Sequence, residues 1–297
     1  MKTPAPSIEQ MWTALRSHTA ARIGLPTTGA SLATAPVLAA RLAHAQARDA
    51  VHASFDRDQL ADMLTDLGVD IIQVDSAAQD RRTYLLRPDL GRRLNDESID
   101  KLTEWQTRIR NRKTLDRCAG DPGMNDQPCE TLAQRRGTDS GSPTRDSSNL
   151  VVVVTDGLSA TAAHNHATPL LNALLPMLRG QGWYTDAVVL ARHGRVALGD
   201  DVGERLGATA VVVLLGERPG MSSPDSLGAY LTWAPKVGRS DAERNCVSNI
   251  RPAGFALNEA AGRIAWLLEK MRSLGASGIA LKDDSANPAI VRDGSQG

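Results

Sequence analysis

Aromatic side chains are scarce in this chain, only 3% of 297 residues, so alanine and leucine must build most of its core. That composition favours helices packed around an aliphatic sheet. Charge excess of either sign is missing: Lys+Arg and Asp+Glu each total 34, and no basic face is clustered. Nucleic-acid binders carry such an excess or face, which sets that class aside. No apolar run approaches the ~20 residues of a membrane span. The opening MKTPAPSIEQMW holds no apolar signal core, so the expected location is the cytoplasm, free or inside a bacterial microcompartment. Cysteines number three, Cys118, Cys129 and Cys246, without paired metal-like spacing. An odd count of free thiols suits a reducing compartment. Neither a G-x-x-x-x-G-K-[ST] phosphate loop nor a G-x-G-x-x-G fingerprint is present.

What the chain does contain is an abrupt change of texture. Up to Cys118 the pattern is mainly helical: Ile8 to His18, Ala35 to His52, Asp58 to Leu67 closed by Gly68, and Ser98 to Cys118, with a short strand over Val69 to Val74. The Pro88-Asp89-Leu90-Gly91 stretch reads as a turn. Residues 119–148 are rich in Gly, Pro, Asp and Ser with almost no apolar side chains. Such a segment buries too little surface to offset its ordering entropy and reads as a flexible insertion or linker.

After it an α/β pattern begins. Strands are expected at Leu150 to Val154, Ala187 to Leu190, Ala210 to Leu215 and Tyr230 to Trp233, with a last short one at Gly278 to Leu281. Helices are expected at Leu158 to Gly180, interrupted at Pro169 and Pro176, at Asp200 to Leu206 and at Asn258 to Leu274. Alternation of this kind implies a mostly parallel sheet with flanking helices, a Rossmann-like C-terminal domain over 149–297 preceded by a helical N-terminal region over 1–118. Between Ala191 and Ile250, the turns Gly194-Arg195-Val196 and Gly216-Glu217-Arg218-Pro219-Gly220 and a polar loop at Asn245 to Asn249 aim backbone at one sheet edge. There α/β folds build ligand sites.

The catalytic motifs available to such a fold fail on inspection. Asp156 has no second Asp two positions away, and Ser159 lacks the glycine that a hydrolase elbow needs two residues later. Capping of the following helix is the better reading for Asp156 or Ser159, with Gly157 supplying the turn. His164 and His166 fall on different sides of a helix, which argues against a shared metal. His193, beside the first glycine turn, is a weak ligand-site candidate. For Glu217 the residues alone favour a turn-stabilising pair with Arg218 or Arg195. The residues therefore describe a small-molecule-binding α/β domain without a visible catalytic set.

Ordered motifs go further. LAHAQARDAV at 42–51, YLLRPDLGRRL at 84–94, DGLS at 156–159, GRV at 194–196, GERPG at 216–220, SPDSL at 223–227 and RNCVSNI at 244–250 stand in register along the chain. In them the chain closely resembles the small (light) subunit of ethanolamine ammonia-lyase, which with its partner converts ethanolamine to acetaldehyde and ammonia. The resemblance spans about residues 35 to 282, except for the polar insertion. It implies that radical chemistry belongs to a barrel in a separate large subunit, and that no catalytic residue resides here. It also implies adenosylcobalamin shared at the subunit interface, with Val196, Glu217 and Cys246 at cofactor-contact positions.

The D-x-H-x-x-G loop that replaces cobalamin's own base with a histidine is absent, which agrees with base-on binding in that family. The density of Arg92-Arg93 and the early helices point to large-subunit contact. The 119–148 insertion has no counterpart in the resemblance, and Cys118 at its edge and Cys129 within it inherit no function from it. The alternative is a stand-alone cobalamin- or nucleotide-binding module, or a structural subunit, without lyase activity.

Overall fold

The structure, a computed structural model, describes residues 6–19, 21–119 and 148–281. The insertion expected at 119–148 lies almost wholly outside the described residues, and Cys129 with it.

Before the insertion the elements are α1 (Ile8–Arg16), a two-stranded ribbon of β1 (Thr27–Thr28) and β2 (Ser31–Leu32), α2 (Thr34–His52) and α3 (Arg57–Leu64). β3 (Asp70–Asp75), α4 (Arg81–Leu86) and α5 (Asp96–Ala119) follow. After it come β4 (Ser148–Thr155), α6 (Ala160–Gly180), β5 (Trp183–Tyr184), β6 (Ala187–Arg192), α7 (Leu198–Arg205), β7 (Ala210–Gly216), β8 (Leu227–Trp233), β9 (Arg244–Ile250) and α8 (Leu257–Leu274). Helix starts follow their caps. Asp56, Asp80 and Ser159 accept the amides of Gln59, Thr83 and Ala162, satisfying donors that the first turn leaves free.

Seven strands form one sheet in the order β3-β6-β4-β7-β8-β9, with β5 on the start of β4. β3, β6, β4 and β7 are parallel, and β8 and β9 are antiparallel additions at one side. The alternation of β4 explains the layers. Leu150, Val152 and Val154 join the core under α3, α6 and α8, while Val151 and Val153 join the core under α5 and α7. A parallel strand apolar on both faces requires helices on both. β3, from before the insertion, pairs with β6 from Asp70↔Ala187 to Asp75↔Arg192.

Several local expectations change. α6 runs unbroken through Pro169 and Pro176, because its buried face, from Ala160 to Leu178, packs along the sheet and offsets two lost backbone bonds. The polar loop expected at Asn245 to Asn249 is strand β9, whose Arg244, Val247 and Ile250 are buried while Cys246, Ser248 and Asn249 are exposed. Gly278–Ala280 is a 3-10 turn rather than a strand. The segment at Arg81 forms α4 ahead of the expected turn.

Candidate functional site

The carboxyl ends of β4, β6 and β7 meet at one edge of the sheet. Their approach depends on glycine: a Cβ on Gly216 would stand 2.0 Å from the Ser159 carbonyl and 2.5 Å from that of Asp156. Across this junction the Leu158 amide donates to the Gly216 carbonyl at 2.8 Å. Above it opens a cleft of about 770 Å³, walled by the β6–α7 turn, the end of β7, Tyr230 of β8 and the 239–244 segment.

Val196 and Glu217 both line this cleft. Cys246 does not; it is the cross-strand partner of Tyr230, which does. The Glu217 side chain makes no ion pair with Arg195 or Arg218. Its Oε2 accepts the Ser226 hydroxyl and, at 3.2 Å, the Asn249 amide, while its own amide donates to the Ser226 carbonyl at 2.9 Å. Oε1 has no hydrogen bond among the described residues and lies over Gly228, where a Cβ would come within 2.8 Å of it. The carboxylate is therefore fixed through Oε2.

Cys246 reaches solvent. Crowding by surrounding atoms nevertheless pushes its thiol up to about 11, with the Glu217 charge adding and a Tyr230 hydrogen bond opposing. A thiol so displaced is a poor nucleophile at neutral pH. Tyr230 is likewise pushed above the usual phenol range, first by burial and then by Cys246 and Glu217.

The β6–α7 turn is supported from beneath. Asp156, 2% exposed, accepts the His193 amide at 2.8 Å and the Thr155 hydroxyl at 3.1 Å, and pairs with Arg81 at 3.2 Å. Burial raises its carboxyl pKa, against the pull of His193 and Arg81. Arg81 also donates to the carbonyls of Gly157 and Val51, so it ties the end of α2 to the end of β4. His193 adopts a left-handed backbone with φ 57. Its ring stacks on Tyr84 at 5.8 Å, with Nδ1 3.2 Å from the Ala78 carbonyl. The ring is not part of the cleft wall. Ser159 caps α6 as the sequence suggested, and its hydroxyl donates to the Pro224 carbonyl at 3.0 Å.

His164 and His166 take separate partners: His164 accepts the Asp56 amide at 3.0 Å, and His166 pairs with Asp225 at 3.0 Å. Among the described residues no group of three or more His, Cys, Asp or Glu could hold a metal ion. Among them, too, no helix is long and apolar enough to cross a membrane.

Two tyrosines at the site were not singled out by sequence reasoning. Tyr84 and Tyr230 are two of only three tyrosines, and both line the cleft. In so aromatic-poor a chain that placement was the available signal. Tyr84 donates to the Gly194 carbonyl at 3.3 Å, and burial, with Asp156 adding, pushes its phenol up to about 12. Arg195 lies 4.7 Å over the Tyr84 ring and donates from Nη2 to the Tyr84 carbonyl at 3.2 Å. Its Nε is buried without a partner. Arg244, buried at the cleft floor, pairs with Asp200 at 2.7 Å and donates to the Arg239 carbonyl at 2.8 Å. It thereby holds the 239–241 wall.

A corrin ring is fringed by amides, each both donor and acceptor. The Glu217 carboxylate is complementary to the N–H donors of such a fringe, and the orphaned Arg195 Nε calls for an acceptor elsewhere on the ligand, so these residues fit a cobalamin.

The family model described as "Ethanolamine ammonia-lyase light chain (EutC)" matches residues 9–118 and 123–282. The chain is similar to proteins named "Ethanolamine ammonia-lyase small subunit". That of Pseudomonas putida (strain GB-1) is 45% identical over 99% of this chain and 94% of the relative. That of Azotobacter vinelandii is 44% identical over 96% and 93%. That of Xanthomonas campestris pv. campestris (strain ATCC 33913) is 44% identical over 99% and 95%. With matches of this identity along nearly its whole length, the chain belongs to the ethanolamine ammonia-lyase light-chain family.

Proposed function

We propose that this chain works as the small subunit of adenosylcobalamin-dependent ethanolamine ammonia-lyase, closing the cobalamin site against a catalytic large subunit. The observation that carries the reading is Glu217, a cleft-lining carboxylate with one oxygen anchored by Ser226 and Asn249 and the other without a hydrogen bond among the described residues. An ionised carboxylate accepts charge-assisted hydrogen bonds from a corrin amide NH₂. Val196, in the turn ahead of α7, presents an apolar side chain to the macrocycle, and Cys246 supplies a small, soft contact beside Tyr230.

When bound, adenosylcobalamin supplies a cobalt–carbon bond whose homolysis starts radical chemistry. This chain's residues bind and orient the cofactor and exclude water from its face. The radical chemistry is assigned to the partner chain. The N-terminal region, with exposed Ile8, Met11, Leu38 and Leu42, is assigned to large-subunit contact.

Co-expression with a large subunit and an assay of adenosylcobalamin-dependent acetaldehyde formation test this reading. Activity should require both chains. Activity from the small chain alone, or none from the pair, overturns it.

A further inference from the structure

Five arginines line the cleft, and two of them are committed: Arg239 to Glu243, and Arg244 to Asp200 at 2.7 Å. The other three, Arg92, Arg195 and Arg218, have no carboxylate partner among the described residues. Arg195 and Arg92 come from one wall, since the Arg195 amide donates to the Gly91 carbonyl at 2.8 Å. Arg218 follows Glu217 on the other.

The Arg195 guanidinium is held in place, stacked on Tyr84 and tethered by Nη2, yet its Nε is buried without an acceptor. A buried donor left unsatisfied is costly and marks a position where a ligand acceptor completes the site. Glu217, on the facing wall, makes no ion pair with this group; its Oε2 is held by Ser226 and Asn249. The cleft thus presents uncompensated guanidinium groups, whose planar N–H forks match the oxygens of a phosphate ester.

We propose that Arg195 and Arg218, assisted by Arg92, form a phosphoryl-anion subsite that takes the phosphodiester of cobalamin's nucleotide tail. This deepens the cobalamin reading of the cleft and rests on it. Cobalamin's corrin side chains are neutral amides, and the phosphodiester is its peripheral anion. Glu217 and the arginines therefore divide the cofactor between them, the carboxylate serving amide donors and the guanidiniums serving the tail. A free phosphate or another phosphate ester has the same chemistry.

Separation of these sources uses the complex with the large subunit and three ligands: adenosylcobalamin, adenosylcobinamide and adenosylcobinamide phosphate. The last two differ by a phosphoryl group. The wild-type complex should bind adenosylcobinamide phosphate about tenfold or more tightly than adenosylcobinamide. Arg218→Ala, at an exposed position, should shrink that preference, and Arg195→Ala/Arg218→Ala should abolish it, with adenosylcobinamide affinity unchanged. Arg195→Lys/Arg218→Lys should restore part of it.

An equal loss for both cobinamides, or a preference untouched by the substitutions, overturns the subsite. Inorganic phosphate binding that depends on the arginines, alongside a corrinoid preference that does not, assigns the site to a free anion and overturns the tail assignment. Failure of the wild-type complex to bind any of the three corrinoids is a different result. It defeats the cobalamin reading itself.

Discussion

Arg244 and Asp200 meet at 2.7 Å with side chains only 3% and 1% exposed. The pair joins β9 to α7 beneath the cleft and is completed by Thr232 and the Arg239 carbonyl. Asp200 Oδ2 has no partner, and burial raises the carboxyl pKa against the pull of Arg244. Removing one member of such a pair leaves a charge buried without compensation, which costs about 3–5 kcal/mol. Arg244→Ala should therefore lower the urea-unfolding free energy by that order. A loss below about 1 kcal/mol, the scale of a surface pair, contradicts a structural role for the ion pair. Paired apolar replacements at both positions should recover much of the loss.

Gly216 sits where β4 and β7 converge, with backbone carbonyls in the space a side chain would need. The obstacles are main chain and cannot swing aside. Gly216→Ala should destabilise by about 3 kcal/mol, the upper end for overpacking, and should disturb the adjoining Glu217. Gly262→Ala on α8, where nothing stands within 4 Å of the new Cβ, is the control and should leave thermal stability unchanged or raised.

Much of this fold is legible in the amino-acid order. Apolar runs such as Leu150 to Val154 and Ala210 to Leu215 announce buried parallel strands, and caps such as Asp56 and Ser159 mark helix starts. β9 escapes because an edge strand buries only Arg244, Val247 and Ile250, while its polar residues imitate a loop. Pro169 and Pro176 mislead because local propensity yields to tertiary packing along α6. At the site, the glycine turns on Arg195 and Glu217 are readable, but the partners are not. Nothing in the sequence places Asn249 on Glu217 or Asp200 on Arg244, because those contacts join strands and helices distant in order.

Glu243 is held down to about 2 by the Ser240 amide, then by Arg239 and the Ser240 hydroxyl. The sign follows directly: the unfolded carboxyl protonates near 4.5, the folded one near 2. Its contribution is fully present above 4.5 and is lost as the pH falls from there towards 2. Acid titration of stability should be shallower in Glu243→Gln than in wild type across that window. Parallel curves contradict the assignment.

With its thiol near 11, Cys246 should react slowly with iodoacetamide at pH 7 despite reaching solvent, and the rate should climb with pH to a midpoint near that value. Glu217→Gln removes a charge that disfavours the thiolate, so the midpoint should fall. In the complex with the large subunit, adenosylcobalamin should slow the alkylation further. A midpoint at the ordinary thiol value contradicts the crowding around Cys246.

The most direct test is the adenosylcobalamin dissociation constant of the complex carrying Glu217→Ala. Loss of a charge-assisted hydrogen bond to a corrin amide should raise that constant about 10- to 100-fold, with the large subunit still co-purifying. An unchanged constant in an intact complex removes Glu217 from the cofactor site and contradicts the cobalamin reading of the cleft.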